Sequence, residues 1–177
     1  MFLKKMKNKI VPLIISVLFI IIFILFYQGL RNTNIYVPKA NINKEIPNFT
    51  AKLFESSKEV SSLEIFKDNQ FYLMNIWSSW CIPCRDEHIF LTDLSDEKNL
   101  NLVGLNYKDN IENAKSFLND LGNPYDIIFL DPKGIIAIDW GAYGVPETYL
   151  IKKNMIIKKI VGPLNIDLVK EIKEIIK

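Results

Sequence analysis

The 177-residue sequence predicts an α/β domain, a central mixed sheet flanked by helices, preceded by one N-terminal transmembrane helix. Three observations carry that reading. The first is the run from Ile10 to Leu30, 21 residues without a charge, which as a helix spans about 30 Å, the thickness of a bilayer's hydrocarbon core. The second is the alternation of short apolar strand-like runs with helix-like stretches beyond residue 70. The third is the stretch Phe71 to Leu94, FYLMNIWSSWCIPCRDEHIFLTDL, which reads as strand, short loop, two cysteines and helix. About half of the residues are apolar, enough for one domain of ordinary size plus a membrane segment. A second full domain does not fit.

Lys4, Lys5, Lys7 and Lys9 precede the apolar run and only Arg31 follows it, with no acid on either flank. The positive-inside rule then puts residues 1–9 in the cytoplasm and everything after Arg31 outside. A cleaved signal peptide is the alternative. Signal cores run about 7 to 15 residues and end in an A-x-A-like site, whereas this run is longer and leads into Arg31-Asn32-Thr33-Asn34. An uncleaved anchor over residues 10–30 is therefore expected. Setting those five basic residues aside leaves 17 of the 22 against 20 acids, a net −3. Without a basic stripe carrying interleaved aromatics, nucleic acid is not an expected partner. Residues 31–45 are polar and aperiodic, which suits a tether, and the domain is expected over 46–177.

Ile46-Pro47-Asn48-Phe49 opens that domain, and Val60 to Phe66 reads as a short edge element. Phe71 to Trp77 is apolar except for Asn75, as befits a strand buried on both faces. Pro83 falls in the first turn of the following helix, where its missing N–H costs nothing. Asn101 to Tyr107 is the next strand, and Asp109-x-x-Glu112 matches a capping box. The helix it opens should stop at Gly122-Asn123-Pro124, with the glycine in a left-handed cap. Asp126 to Leu130 is a further strand, and residues 132–144 hold a short helix or turn. Glu147 to Ile151 and Met155 to Val161 read as a hairpin closed by Lys152-Lys153-Asn154. Asn165 can cap the last helix, with Leu164 and Val169 as its hydrophobic staple and Leu168, Ile172, Ile175 and Ile176 on one face. The order β-α-β-α-β-β-α around a C-x-x-C is that of thioredoxin.

Cys81 and Cys84 are the only cysteines, so the pair serves chemistry and not scaffolding. Cys81 sits where unpaired N–H groups and the positive end of the helix dipole meet its sulfur. Cysteines so placed have pKa values of roughly 3.5 to 7.5 instead of about 8.5, and the thiolate is the nucleophile in disulfide exchange. Cys84, one turn on and expected to be buried, can close a disulfide with it. No cofactor beyond that redox-active disulfide is expected. A structural zinc needs four ligands, and no second C-x-x-C exists. His88, the lone histidine, stands four residues after Cys84, so a copper metallochaperone using Cys81, Cys84 and His88 is conceivable on one helix face. A partly exposed helix histidine is the plainer reading. Haem binding has no C-x-x-C-H to support it. Trp80 either faces a substrate or packs over the disulfide.

The stretches Trp77 to Arg85 (WSSWCIPCR), Gly104 to Asp109 (GLNYKD), Leu121 to Tyr125 (LGNPY) and Tyr143 to Tyr149 (YGVPETY) together resemble the CcmG/DsbE family, membrane-tethered thioredoxin-like proteins of cytochrome c maturation. The likeness covers about residues 40–177 and the anchor's position, and G-V-P-E-T separates it from general thioredoxins. It implies a dithiol reductant on the periplasmic side of the inner membrane, held by a single span. Its substrate would be the disulfide of an apocytochrome c C-x-x-C-H site or of a thiol protein of that maturation, and its electrons would come from a transmembrane thiol reductase. A related membrane-anchored thiol-disulfide protein with other substrates, such as a copper site, is the alternative. By matching motif, Cys81 is the attacking thiol and Cys84 the resolving one. Pro146 is the cis proline, and the Val145 backbone can pair with an extended substrate. Glu147 and Glu87 are acidic groups near the site, with Trp80 and Glu87 on the substrate side. General thioredoxins carry a buried Asp six residues before the first cysteine to handle the second thiol's proton; here that position is Asn75, which cannot titrate. Glu147 then either accepts that proton or shapes an acidic surface. Taken as lying outside the core, Glu147→Gln should change stability by no more than about 1 kcal/mol.

Overall fold

The computed structural model describes residues 2–31, 42–56, 58–67 and 69–177, so most of the predicted tether lies outside the described residues. The chain divides into two units, residues 1–38 and 39–177. The first holds helix α1 (Phe2–Arg31). Within it Ile10–Gly29 is long and apolar enough to cross a membrane, and its large apolar side chains from Ile10 to Tyr27 are all exposed.

In the second unit, β1 (Thr50–Lys52) and β2 (Glu59–Ser61) form a small antiparallel pair, and α2 (Ser62–Ile65) follows. The expected edge element at Val60 to Phe66 is thus strand in its first residues and helix in the rest. Ser61 and Glu64 explain the change: they close a capping box that starts a helical turn in mid-segment.

Then come β3 (Phe71–Trp77), α3 (Ile82–Ser95), β4 (Leu100–Tyr107), α4 (Ile111–Leu121), β5 (Ile127–Asp131), α5 (Ile135–Asp139), β6 (Glu147–Lys152), β7 (Met155–Val161) and α6 (Ile166–Ile175). The main sheet runs β5-β4-β3-β6-β7. β3, β4 and β5 are parallel, while β6 runs antiparallel to β3 and to β7. This is the thioredoxin-like α/β fold. Every residue of β3 is buried, as expected of a run that is apolar but for Asn75. Leu73, Trp77, Leu102 and Leu150 face a core shared with Leu91 and Leu94 of α3, Phe117 of α4 and Ile172 of α6. Met74, Ile76, Leu105, Tyr149 and Ile151 face a second core with Phe66, Ala137 and Trp140. Gly104 of β4 belongs to the first face by necessity, because a Cβ there would stand 2.9 Å from Trp77 Nε1 and 3.1 Å from the Tyr125 ring.

Lys153 and Asn154 close the β6–β7 hairpin, both at positive φ. Asn165 caps α6 by accepting from the N–H groups of Asp167 and Leu168. The domain reaches back past Ile46. Asn43 and Ile46 donate to Ile156 and Asn154 carbonyls, and Ile156 N–H donates to Lys44, so part of the outer side of β7 is paired. Phe54 N–H does the same for β5 at the Ile128 carbonyl.

Candidate functional site

Cys81 is the N-cap of α3, with extended backbone at φ −86° and ψ 109°, and its Sγ accepts from the Cys84 N–H at 3.1 Å. One orphan donor of the helix terminus is therefore spent on sulfur. Cys81 and Cys84 form a disulfide, with Cα atoms 5.3 Å apart. Cys81 exposes 4 % of its surface and Cys84 2 %, so access hardly distinguishes the two sulfurs, and Cys81 is the one at the helix terminus. On either side of Cys81 in sequence, Trp80 and Ile82 are exposed. The Trp80 indole donates to the Lys108 carbonyl at 3.1 Å, which ties it toward the β4–α4 loop.

Glu87 lies one turn beyond Cys84 on α3 and is fully buried. It was expected to meet a substrate; with no exposed surface it cannot. Instead it accepts from the Asn75 amide at 2.8 Å and from the Leu164 N–H at 2.7 Å. Burial pushes its carboxyl up to about 7, and the Leu164 and Asn75 hydrogen bonds hold it back from going further. Asn75 also donates to Thr148 Oγ1 at 3.0 Å and accepts from the Tyr125 hydroxyl at 2.8 Å. Burial, and then the Glu87 charge, raise the Tyr125 phenol. The carboxylate missing from the Asn75 position is thus supplied by the helix packed against it.

The Val145–Pro146 peptide bond is cis. Val145 is half-buried and Pro146 buried. Glu147 begins β6 immediately after, but on the other face of the sheet. Its carboxylate accepts from the Tyr143 N–H at 2.7 Å and the Tyr149 hydroxyl at 2.9 Å, and pairs with Lys159 of β7 at 2.9 Å. Tyr149 belongs to the second core, whereas Cys81 and Cys84 belong to the first. The expectation that Glu147 stands beside the cysteines fails for that reason: adjacency to Pro146 in sequence inverts to the opposite face of a strand. Lys159 also donates to the Gly141 carbonyl at 2.7 Å. Burial and then the Glu147 charge raise the Tyr149 phenol.

His88 is buried, not partly exposed. Its Nε2 lies 2.9 Å from the Gly122 carbonyl, to which it must donate, and its ring meets Phe117 edge-on. Burial, opposed by that hydrogen bond, lowers its pKa. The ring is thereby engaged with the end of α4, and among the described residues no three His, Cys, Asp or Glu side chains group to hold a metal ion.

A Redoxin family profile matches residues 41–176. Of the solved structures, the crystal structure of a DsbF homologue from Corynebacterium diphtheriae superposes with a TM-score of 0.65 at 25 % identity, over 78 % of this chain and 95 % of that one. The thiol:disulfide interchange protein CycY of Rhizobium leguminosarum is 53 % identical over 92 residues, a match that spans 51 % of this chain and 50 % of the relative. The thiol:disulfide interchange protein DsbE of Escherichia coli is 34 % identical over 165 residues, 90 % of this chain and 89 % of that protein. Agreement over that much of both chains goes beyond a shared fold: the chain belongs to the Redoxin family and, within it, to the DsbE thiol:disulfide interchange proteins.

Proposed function

We propose that this thiol:disulfide oxidoreductase works as a dithiol reductant on the periplasmic side of the inner membrane, in c-type cytochrome biogenesis. The observation that carries the chemistry is Cys81 Sγ at the head of α3, accepting a backbone N–H in the position where a thiolate is stabilised. In the reduced protein the Cys81 thiolate attacks one sulfur of a substrate disulfide, and the other substrate sulfur leaves as a thiolate that takes up a proton. Cys84 then loses its proton and attacks Cys81 Sγ. The Cys81–Cys84 disulfide forms again and the second substrate thiol is released, so two electrons and two protons have passed to the substrate.

We assign to Glu87 the uptake of the Cys84 proton. It sits one turn along the same helix, and a carboxyl at about 7 can both accept and return a proton near neutrality. The Val145 backbone and the exposed Trp80 are the groups that would receive an extended peptide. The apocytochrome c C-x-x-C-H disulfide, or that of a thiol protein of its maturation, is the substrate that the family resemblance favours, and a transmembrane thiol reductase is the matching electron source.

Trapping tests this. Cells producing the Cys84→Ala variant should accumulate mixed disulfides through Cys81, and the wild-type chain should be found mostly reduced while its donor is intact. A catch without apocytochrome c or its maturation thiol proteins, or a wild-type pool mostly in the disulfide form, would overturn the proposal.

A further inference from the structure

Backbone pairing between β3 and β4 ends at Trp77 and Asn106, yet the two chains stay tied for three more residues. Ser78 Oγ donates to the Tyr107 carbonyl at 2.8 Å. Ser79 donates its N–H and its hydroxyl to the two carboxylate oxygens of Asp109, at 2.6 and 2.7 Å. Trp80 Nε1 donates to the Lys108 carbonyl. Asp109 accepts two further hydrogen bonds, from Asn106 Nδ2 at 3.0 Å and from the Asn110 N–H at 2.8 Å. A carboxylate has about four acceptor sites, so this one is saturated.

The expected role of Asp109, the cap of α4, belongs to its neighbour: Asn110 accepts from the Glu112 and Asn113 N–H groups. Lys108, meanwhile, holds φ 45°, a left-handed conformation uncommon for a lysine. With that twist, consecutive residues Lys108 and Asp109 offer a carbonyl and a carboxylate to consecutive residues Trp80 and Ser79. Helix capping explains neither the saturated carboxylate nor the twisted lysine. What both of them grip is the loop that delivers Cys81.

We propose that Asp109 is a positioning residue for disulfide exchange: by holding Ser79 two residues ahead of Cys81, it fixes the Trp80 indole and the first turn of α3 where Cys81 Sγ meets an incoming sulfur. Displacement at sulfur proceeds in line, so the rate depends on how narrowly the loop confines that sulfur.

The test uses the full chain in detergent, reduced by dithiothreitol, with the second-order rate and acrylamide quenching of tryptophan as readouts. Quenching reports Trp80, because Trp77 and Trp140 are buried. Asp109→Ala should slow exchange roughly tenfold and make Trp80 more quenchable. Asp109→Asn, which keeps one oxygen for Ser79, should recover much of the rate. Loss of charge alone has the opposite sign, since removing an anion near Cys81 speeds attack by an anionic thiolate. An Asp109→Ala rate within twofold of the parent, or equal rates for Asp109→Ala and Asp109→Asn, would overturn the proposal. If Asp109→Ala does not fold, Ser79→Ala removes one of the bonds and should slow exchange about threefold; no change there overturns it as well.

Discussion

Glu87 has a carboxyl whose preferred state changes on folding, and the sign of its effect on stability follows. Its pKa rises from 4.5 to about 7, so between those values the folded protein binds more protons than the unfolded chain. The stabilisation is complete below about pH 4.5 and is lost as pH rises through about 7. The shift corresponds to about 3 kcal/mol. His88 slopes the other way, because its lowered pKa makes its contribution full above about 6.5 and lost on acidification. Comparison with Glu87→Gln isolates the carboxyl. In urea unfolding of the oxidised protein, the variant's stability relative to wild type should rise by about 3 kcal/mol from pH 4.5 to pH 8; an equal pH dependence in the two proteins would mean that Glu87 is not held protonated. The chemistry of this residue was only half legible in the sequence. Asn75 announces a missing carboxylate, but its replacement comes from a helix packed across it, and that pairing depends on tertiary placement.

At the scale of elements, the segment before β6 is fixed by Glu147 and Lys159. The pair is almost wholly buried and ties Tyr143 N–H and the Gly141 carbonyl to β6 and β7. Glu147→Gln should therefore destabilise by about 3 to 5 kcal/mol, because it leaves the Lys159 ammonium buried without its counter-ion. That replaces the 1 kcal/mol expected of a surface swap. Adding Lys159→Met should restore part of the loss in the same unfolding measurement, and additive losses would show that the pair is not coupled. The elements themselves were readable where a local signal decides them. The largely apolar run of β3, the β6–β7 turn and the Asn165 cap all stand close to their expected places. Which face Glu147 takes was not readable, since a one-residue change of register reverses every side chain on a strand. The Asp109 cap failed for a similar reason: its carboxylate is used by Ser79, 30 residues away in sequence.

For the whole molecule, the α1 span predicts that the chain stays in the membrane fraction through alkaline carbonate extraction at full-length mass. A lighter, extractable form would mean that the apolar run is removed as a signal peptide. The domain that α1 carries is organised around Asn75, and the amide has a consequence for which fold the chain accepts. Its three hydrogen bonds reach Glu87 of α3, Thr148 of β6 and Tyr125 before β5. Sliding β3 by one residue would put Met74 or Ile76 among those groups. Each partner stranded away from water costs about 1 to 3 kcal/mol. Among the otherwise largely apolar side chains of β3, the amide works as a key: competing arrangements of the sheet are penalised by several kcal/mol before any substrate is met.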